Sequence, residues 1–377
     1  MSELEIFTKV CGGLDDKSIR LQAGRCLRHR HRGSTCERCI EVCPQEALRF
    51  GEEGIEYAAD RCSGCGACTV VCPAGAPEAK LPERSVLEQR IRQAVQPGRL
   101  LTLACDAYLA KHPEKRERCL HVQCLARCDE ALLALAAQQG ASQIVLVTAG
   151  CAVCPQASLL PQIEAQAARA EELLAETGKG GRVFALRGFP KAAMPFPGAA
   201  DGMSRRRFFQ SLCQAGRGLV QESVQASVDA IVMQPKPKEN PLEEAKFLPE
   251  KWRQLHALLL EGVIGRQAAS RFWGRAACTG PCSGCGSCAA VCPTGALQVL
   301  QQDDGWRLFF REELCTYCGL CAAICMTGVL ALSAALPEEL LAPAARLLAE
   351  KKNEEVEQLL APVENRLQAM LGNVPVH

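Results

Sequence analysis

Between residues 99 and 186 short apolar runs alternate with longer amphipathic stretches. The runs at 99–104, 118–122, 143–147 and 182–186 are five or six residues long and read as strands. The stretches 129–139 and 156–177 carry apolar residues at helical spacing. Strand–helix alternation of this kind predicts a parallel α/β sheet. The flanks have a different texture, in which Gly- and Pro-punctuated cysteine runs surround the alternating segments 47–57 and 296–308. Those segments contain Gly54 and Gly305 and read as small hairpins. Residues 80–96 read as a connecting helix ending at Pro97-Gly98, and the Pro-rich stretches 188–202 and 234–241 as extended connections. Residues 337–371 are rich in Leu, Ala, Glu and Lys at helical spacing and predict two amphipathic helices.

The resulting class is α+β. Expected divisions are a first cysteine module over 1–82, a linker helix over 83–98 and a parallel α/β domain over 99–190. A linker with helices over 191–262, a second cysteine module over 263–336 and C-terminal helices over 337–377 complete the chain. A length of 377 residues suits two or three domains. With 43 Lys and Arg against 42 Asp and Glu, no global charge points to nucleic acid or a membrane surface. No run of about 18 apolar residues predicts a membrane span, and the charged opening residues do not read as a signal peptide. The 25 cysteines are too many for ordinary packing, and the chain is too long for a small disulfide scaffold. A reducing, cytoplasmic setting is expected.

Cysteine grouping is the strongest signal. The pattern C-x-x-C-x-x-C-x-x-x-C-P occurs as Cys62, Cys65, Cys68, Cys72, Pro73 and again as Cys282, Cys285, Cys288, Cys292, Pro293. Cys315, Cys318, Cys321 and Cys325 keep the spacing, with Met326 in place of proline. A further half-motif has Cys36, Cys39 and Cys43-Pro44, but Gly33 stands where its first cysteine belongs. Three thiolates at this spacing let one loop wrap an iron–sulfur cubane while the fourth cysteine reaches a second cluster. Gly64, Gly66, Gly284, Gly286 and Gly319 would let the backbone curl close to the inorganic sulfurs. Zinc also uses C-x-x-C pairs, but a zinc site needs only four ligands, usually as two separated pairs.

These motifs resemble the bacterial two-cluster ferredoxin family over about residues 26–81 and 278–332. The resemblance implies two ferredoxin-like modules holding four [4Fe–4S] clusters. It assigns Cys282, Cys285, Cys288 and Cys325 to one cluster, and Cys315, Cys318, Cys321 and Cys292 to the next. Cys62, Cys65, Cys68 and Cys43 would hold a third. Cys36, Cys39 and Cys72 leave the fourth one ligand short, for which Cys26 is the expected candidate. A histidine ligand, a three-iron cluster or an empty vertex are the alternatives.

In the α/β domain the cysteines follow the strands: Cys105 after the first, Cys124 and Cys128 after the second, Cys151 and Cys154 after the third. Parallel strands bring such positions to one sheet edge, where ligands characteristically bind. Residues 105–154 resemble the delta subunit of the methyl-viologen-reducing hydrogenase. That resemblance implies a [2Fe–2S] cluster on Cys105, Cys124, Cys151 and Cys154, with Cys128 as a substitute, although the Cys151-x-x-Cys154 spacing is short for it. Two other readings stand beside it. Cys151-Ala-Val-Cys154-Pro155 before a helix also reads as a thioredoxin-like redox pair, and all five thiols could simply be buried.

Weaker features add little. Ser204-Arg205-Arg206-Arg207-Phe208-Phe209 has a twin-arginine look, but it sits at mid-chain and reads better as a helix start capped by Ser204. The basic loop Arg28–Arg32 could raise a cluster's potential, dock an acidic partner or be merely solvated. Cys11, Cys119, Cys213 and Cys278 have no assigned role; Cys278, four residues before Cys282, could be a spare ligand, though packing is the safer reading. The expected function is that of a non-catalytic electron-transfer subunit working with a redox protein: a dehydrogenase, a hydrogenase or a ferredoxin. An iron–sulfur assembly or maturation factor, and a thiol–disulfide enzyme using Cys151 and Cys154, are the rival classes.

Overall fold

The computed structural model describes residues 18–51, 54–80, 82–180, 182–193, 246–302, 305–341 and 344–352. Cys11, Cys213, the stretches 204–209 and 234–241, and residues 353–371 lie outside the described residues.

The first module is built from two short antiparallel pairs. Strands β1 (Ile19–Leu21) and β4 (Pro77–Ala79) close its ends on each other, while β2 (Leu48–Gly51) and β3 (Gly54–Tyr57) form a hairpin. Ile19, Leu48 and Ile55 are buried between the pairs, with Leu27 beside them. The helix Arg84–Ala94 then leads out, burying Leu87, Ile91 and Ala94 on one face.

Four strands make the middle sheet: β5 (Leu100–Cys105), β6 (Leu120–Val122), β7 (Gln143–Val147) and β8 (Val183–Leu186). They lie in the order β6-β5-β7-β8, and every pair is parallel. Continuous apolar sequence in β5 and β7 fits strands covered on both faces. The helix Glu130–Gln138 is apolar almost all round, and every residue from Glu130 to Ala137 is buried. It packs against Arg84–Ala94, Leu160–Ala175 and Glu250–Leu260. Asp129 caps it, accepting a 3.1 Å hydrogen bond from the Leu132 amide while the Arg84 guanidinium grips the same carboxylate.

The second module repeats the first. Strands β9 (Gly274–Cys278) and β12 (Leu330–Ala334) close its ends, and β10 (Leu297–Gln302) with β11 (Gly305–Phe310) form the hairpin. Here the reading of residues 337–371 as amphipathic helices is corrected for the part that is described. A helix covers only Pro337–Leu341, and Arg346–Lys352 is a strand, β13, paired antiparallel with β11. The open edge of β11 offers ladder hydrogen bonds, and Leu348 and Ala349 pack on the module core. That tertiary gain overrides helix propensity.

Three packing seams matter for the sites. The first module touches the middle domain where Cys65 and Ala67 join the core around Leu125, Ala126 and Cys128. It touches the second module where Cys26, Cys39 and Cys72 share a core with Val291 and Leu320. The middle domain reaches the second module through Trp273, Ala335 and Leu340.

Candidate metal centres

Three of the four cysteine loops are shaped by a left-handed residue just before a short helix. Gly66, Gly286 and Gly319 take φ of +74°, +72° and +82° and cap the helices Ala67–Val71, Ser287–Val291 and Leu320–Ala323. The same turn wants another left-handed residue two positions earlier. Gly64 and Gly284 supply it, and Tyr317 adopts it at φ +52° despite its side chain. After each fourth cysteine a third such residue follows: Gly75, Gly295, Gly328 and, in the divergent half-motif, Glu46 at φ +47°. The divergent half-motif has Glu37 in the Gly66 position, with φ −128°, so its loop runs differently.

In the first module Cys43, Cys62, Cys65 and Cys68 line one hollow, walled by Ile19, Leu48 and Tyr57. The Ala47 amide donates to Cys43 Sγ at 3.3 Å and the Gly64 amide to Cys62 Sγ at 3.4 Å. Tyr57 places a hydroxyl against the Cys62 sulfur, and burial together with that contact pushes the phenol up. Burial likewise pushes the Cys68 thiol well up, with the neighbouring Cys65 and Cys39 thiols adding to it.

The second site of this module gathers Cys26, Cys36, Cys39 and Cys72. Burial raises Cys39 to about 12, followed by the proximity of Cys72, Cys26 and Cys36. Cys26 gets there because the chain turns at it, between the single turn Ala23–Arg25 and the helix Leu27–Arg30. The Ala76 amide donates to Cys72 Sγ at 3.4 Å.

The second module has the same two sites. Cys292, Cys315, Cys318 and Cys321 line one hollow, where burial pushes Cys315 up to about 12 and Cys318 to about 11. Cys282, Cys285, Cys288 and Cys325 line the other, which Cys278 also borders. Its rim is open. Cys285 is exposed, and hydrogen bonds from Ser287 hold its thiol below the usual range. Thr327 does the same for Cys325, and Met326 beside it is 87% exposed.

At the edge of the parallel sheet Cys105, Cys124, Cys151 and Cys154 come together. Burial raises Cys124 to about 12, with Cys65, Cys105 and Cys151 as neighbouring thiols. Cys128 is turned away into the core, fully buried. Burial, then Cys105 and Cys154, push Cys151 up to about 11. That is the opposite of an exchange nucleophile activated at a helix N-terminus, and the long helix starts only at Leu160.

The donor chemistry of these sites suits iron–sulfur clusters. All-cysteine sets with backbone amides directed at the sulfurs are what such clusters use. Among the described residues no group of three or more His, Cys, Asp or Glu is placed to hold a single metal ion. The basic loop Arg28–Arg32 also enters, with contacts inside the chain that none of its sequence readings named. Arg30 donates to the carbonyls of Val291 at 3.1 Å and Cys292 at 3.4 Å, so the basic loop binds the second module. Arg28 is held by Ser34 and Glu37 and stacks on Phe50. Tyr57 could have been suspected only from its place at the end of the hairpin.

The 4Fe-4S dicluster domain family matches residues 34–76 and 281–329. The ketoisovalerate oxidoreductase subunit VorC of Methanothermobacter marburgensis is 42% identical over 45 residues, covering 10% of this chain and 57% of that subunit. A 7Fe ferredoxin of Hydrogenibacillus schlegelii is 45% identical over 38 residues, 10% of this chain and 49% of its own length. An uncharacterized ferredoxin of Methanocaldococcus jannaschii is 37% identical over 46 residues, 12% of this chain and 74% of its own length. The chain thus spans about half the length of the first two relatives. No solved structure matches it.

Proposed function

Since the chain belongs to the ferredoxin family that carries the 4Fe-4S dicluster domain, with two such stretches, we propose that it is a polyferredoxin-type subunit relaying single electrons through four [4Fe–4S] clusters. The observation that carries this reading is the sorting of sixteen cysteines into four separate four-thiol sites. When bound, the clusters supply one-electron redox chemistry without bond making. The chain's own residues hold them, shield them and aim donors at their ligand sulfurs. Cys26 completes the site of Cys36, Cys39 and Cys72 in this reading. Cys105, Cys124, Cys151 and Cys154 hold a fifth centre of [2Fe–2S] type, as the resemblance to the hydrogenase delta subunit implies.

A redox protein partner fits the reading, since one relative is by name an oxidoreductase subunit. Among the described residues no helix is long and apolar enough to cross a membrane. Anaerobic purification from iron-replete cells tests the proposal. About sixteen irons and matching acid-labile sulfide are expected for four cubanes, and about eighteen with the fifth centre. Stable clusters that reduce and reoxidise support a relay. Clusters that leave readily for an apo-protein support an assembly factor instead.

A further inference from the structure

The order of the sites in space is not their order in the chain. In sequence the middle domain separates the modules. In the fold the turn carrying Cys124 packs on the first module beside Cys65 and Ala67, and the second module packs on the first beside Cys26, Cys39 and Cys72. The contacts run as a series. Cys124 has Cys65 as a neighbouring thiol, across a seam where Gly64 and Gly66 make room for Gln123 and Arg127. Within the first module Cys68 neighbours Cys39. Cys26, Cys39 and Cys72 share one core with Val291, Leu320 and the flank of Cys318. Arg30 fastens this junction to the carbonyls of Val291 and Cys292, and Arg38 stands near Cys318. The equivalent glycines Gly75 and Gly295 close on the strap at Lys246 and Phe247. Within the second module Cys321 neighbours Cys288.

We infer that the five cysteine sites stand in single file. The order is Cys105/Cys124/Cys151/Cys154, then Cys43/Cys62/Cys65/Cys68, then Cys26/Cys36/Cys39/Cys72, then Cys292/Cys315/Cys318/Cys321, and last Cys282/Cys285/Cys288/Cys325. The module–module seam is the junction through which every electron passes from one half to the other. The middle domain is a terminus rather than a hub. Its direct packing on the second module includes Trp273, Ala335 and Leu340 and the bonds of Glu172, Glu176 and Thr177 to residues 263–271, none of which carries a thiol. Both termini are open: Val153, between two thiols of the first site, is 77% exposed, and Cys285 is exposed in the last. Each hop oxidises the site left and reduces the site reached by one electron, with no bond or proton moved. A one-electron donor at one terminus and an acceptor at the other close the balance.

This order rests on the clusters being present, and the test separates the two. Iron-free wild-type protein would sink the proposed function itself. With wild-type iron present, the full chain carrying Cys36→Ser is compared by EPR after dithionite reduction. Single file predicts that losing this site changes the magnetic broadening of both neighbours, including the second module's Cys292/Cys315/Cys318/Cys321 signal. Cys318→Ser must in turn alter the signal of the Cys26/Cys36/Cys39/Cys72 site. Changes confined to the module that carries the substitution would overturn the order. A second readout does not depend on the variants keeping their clusters. A photo-crosslinking benzophenone side chain in place of Arg30 should join to residues 287–292, and joining only within the first module would overturn the seam.

Discussion

Gly66 lies so close to Arg127 that a Cβ on the glycine would come within 2.9 Å of the arginine's own Cβ. The contact joins a cysteine loop of the first module to the turn that carries Cys124 and Cys128 in the middle domain. Arg127 is 5% exposed and donates to the Pro82 carbonyl at 2.6 Å, so it has little freedom to withdraw. Glycine here serves two demands at once, a left-handed φ of +74° and a close approach between domains.

Gly66→Ala is therefore expected to be more damaging than Gly64→Ala. Both residues sit at positive φ, which costs an L-residue about 1–2 kcal/mol. At Gly64 the atom in the way is the amide end of Gln123, a flexible tip that can swing aside. At Gly66 it is the root of a buried side chain. Urea unfolding should rank the variants in that order, and equal losses would show that the seam adds nothing beyond backbone strain.

Tyr57 should tune the site formed by Cys43, Cys62, Cys65 and Cys68. Its buried hydroxyl has no hydrogen-bond partner in the structure, and the Cys62 sulfur is the group beside it that a bound cluster would make an acceptor. An O–H directed at a ligand sulfur favours the more negative, reduced state. Removing a hydrogen bond worth about 0.5–1.5 kcal/mol lowers a one-electron potential by about 20–60 mV. Tyr57→Phe is expected to shift one EPR-monitored midpoint downward by that amount and leave the others in place.

Much of this architecture was legible in the cysteine spacing and the period of the apolar runs. The four middle strands appear within about two residues of where apolar runs placed them, because a doubly covered strand needs an unbroken apolar stretch. Spacing also pointed to the loops, since a cubane loop allows little variation. Two things were hidden. The strand Arg346–Lys352 has a helix former's composition, and only the free edge of β11 makes it extended. The proximity of Cys65 to Cys124, and of Cys39 to Leu320, depends on domain packing that no local pattern encodes.

Cys128 gives the cluster-free chain a pH dependence that can be separated from metal binding. It is fully buried, and burial raises its thiol from 9.0 to about 12. Between those values the unfolded chain loses this proton and the folded chain keeps it, so folding stability falls as pH rises. Below pH 9 the contribution is fully present. Urea unfolding of the apo-protein should show stability declining from about pH 9 toward 12, and Cys128→Ala should make that decline shallower, with Cys39, Cys124 and Cys315 supplying the rest, while lowering stability at pH 8. An unchanged slope would mean that Cys128 reaches solvent.

Cys26 carries the sharpest compositional prediction. The half-motif around Cys36 and Cys39 has Gly33 where its companions have cysteine, and a Cβ there would come within 2.7 Å of the His31 ring. Cys26 instead reaches the site from the preceding turn, as a near neighbour of Cys39 and Cys72. Cys26→Ser should remove about one iron if only that vertex is lost, or about four if the whole cluster goes, against about sixteen in the four cubanes. His31→Ala should leave the iron count unchanged if Cys26 is the fourth ligand, as proposed. Cys119→Ala should do the same, its buried thiol donating to the Lys115 carbonyl at 3.4 Å. A full complement of iron in Cys26→Ser, together with loss in His31→Ala, would transfer the fourth position to the histidine.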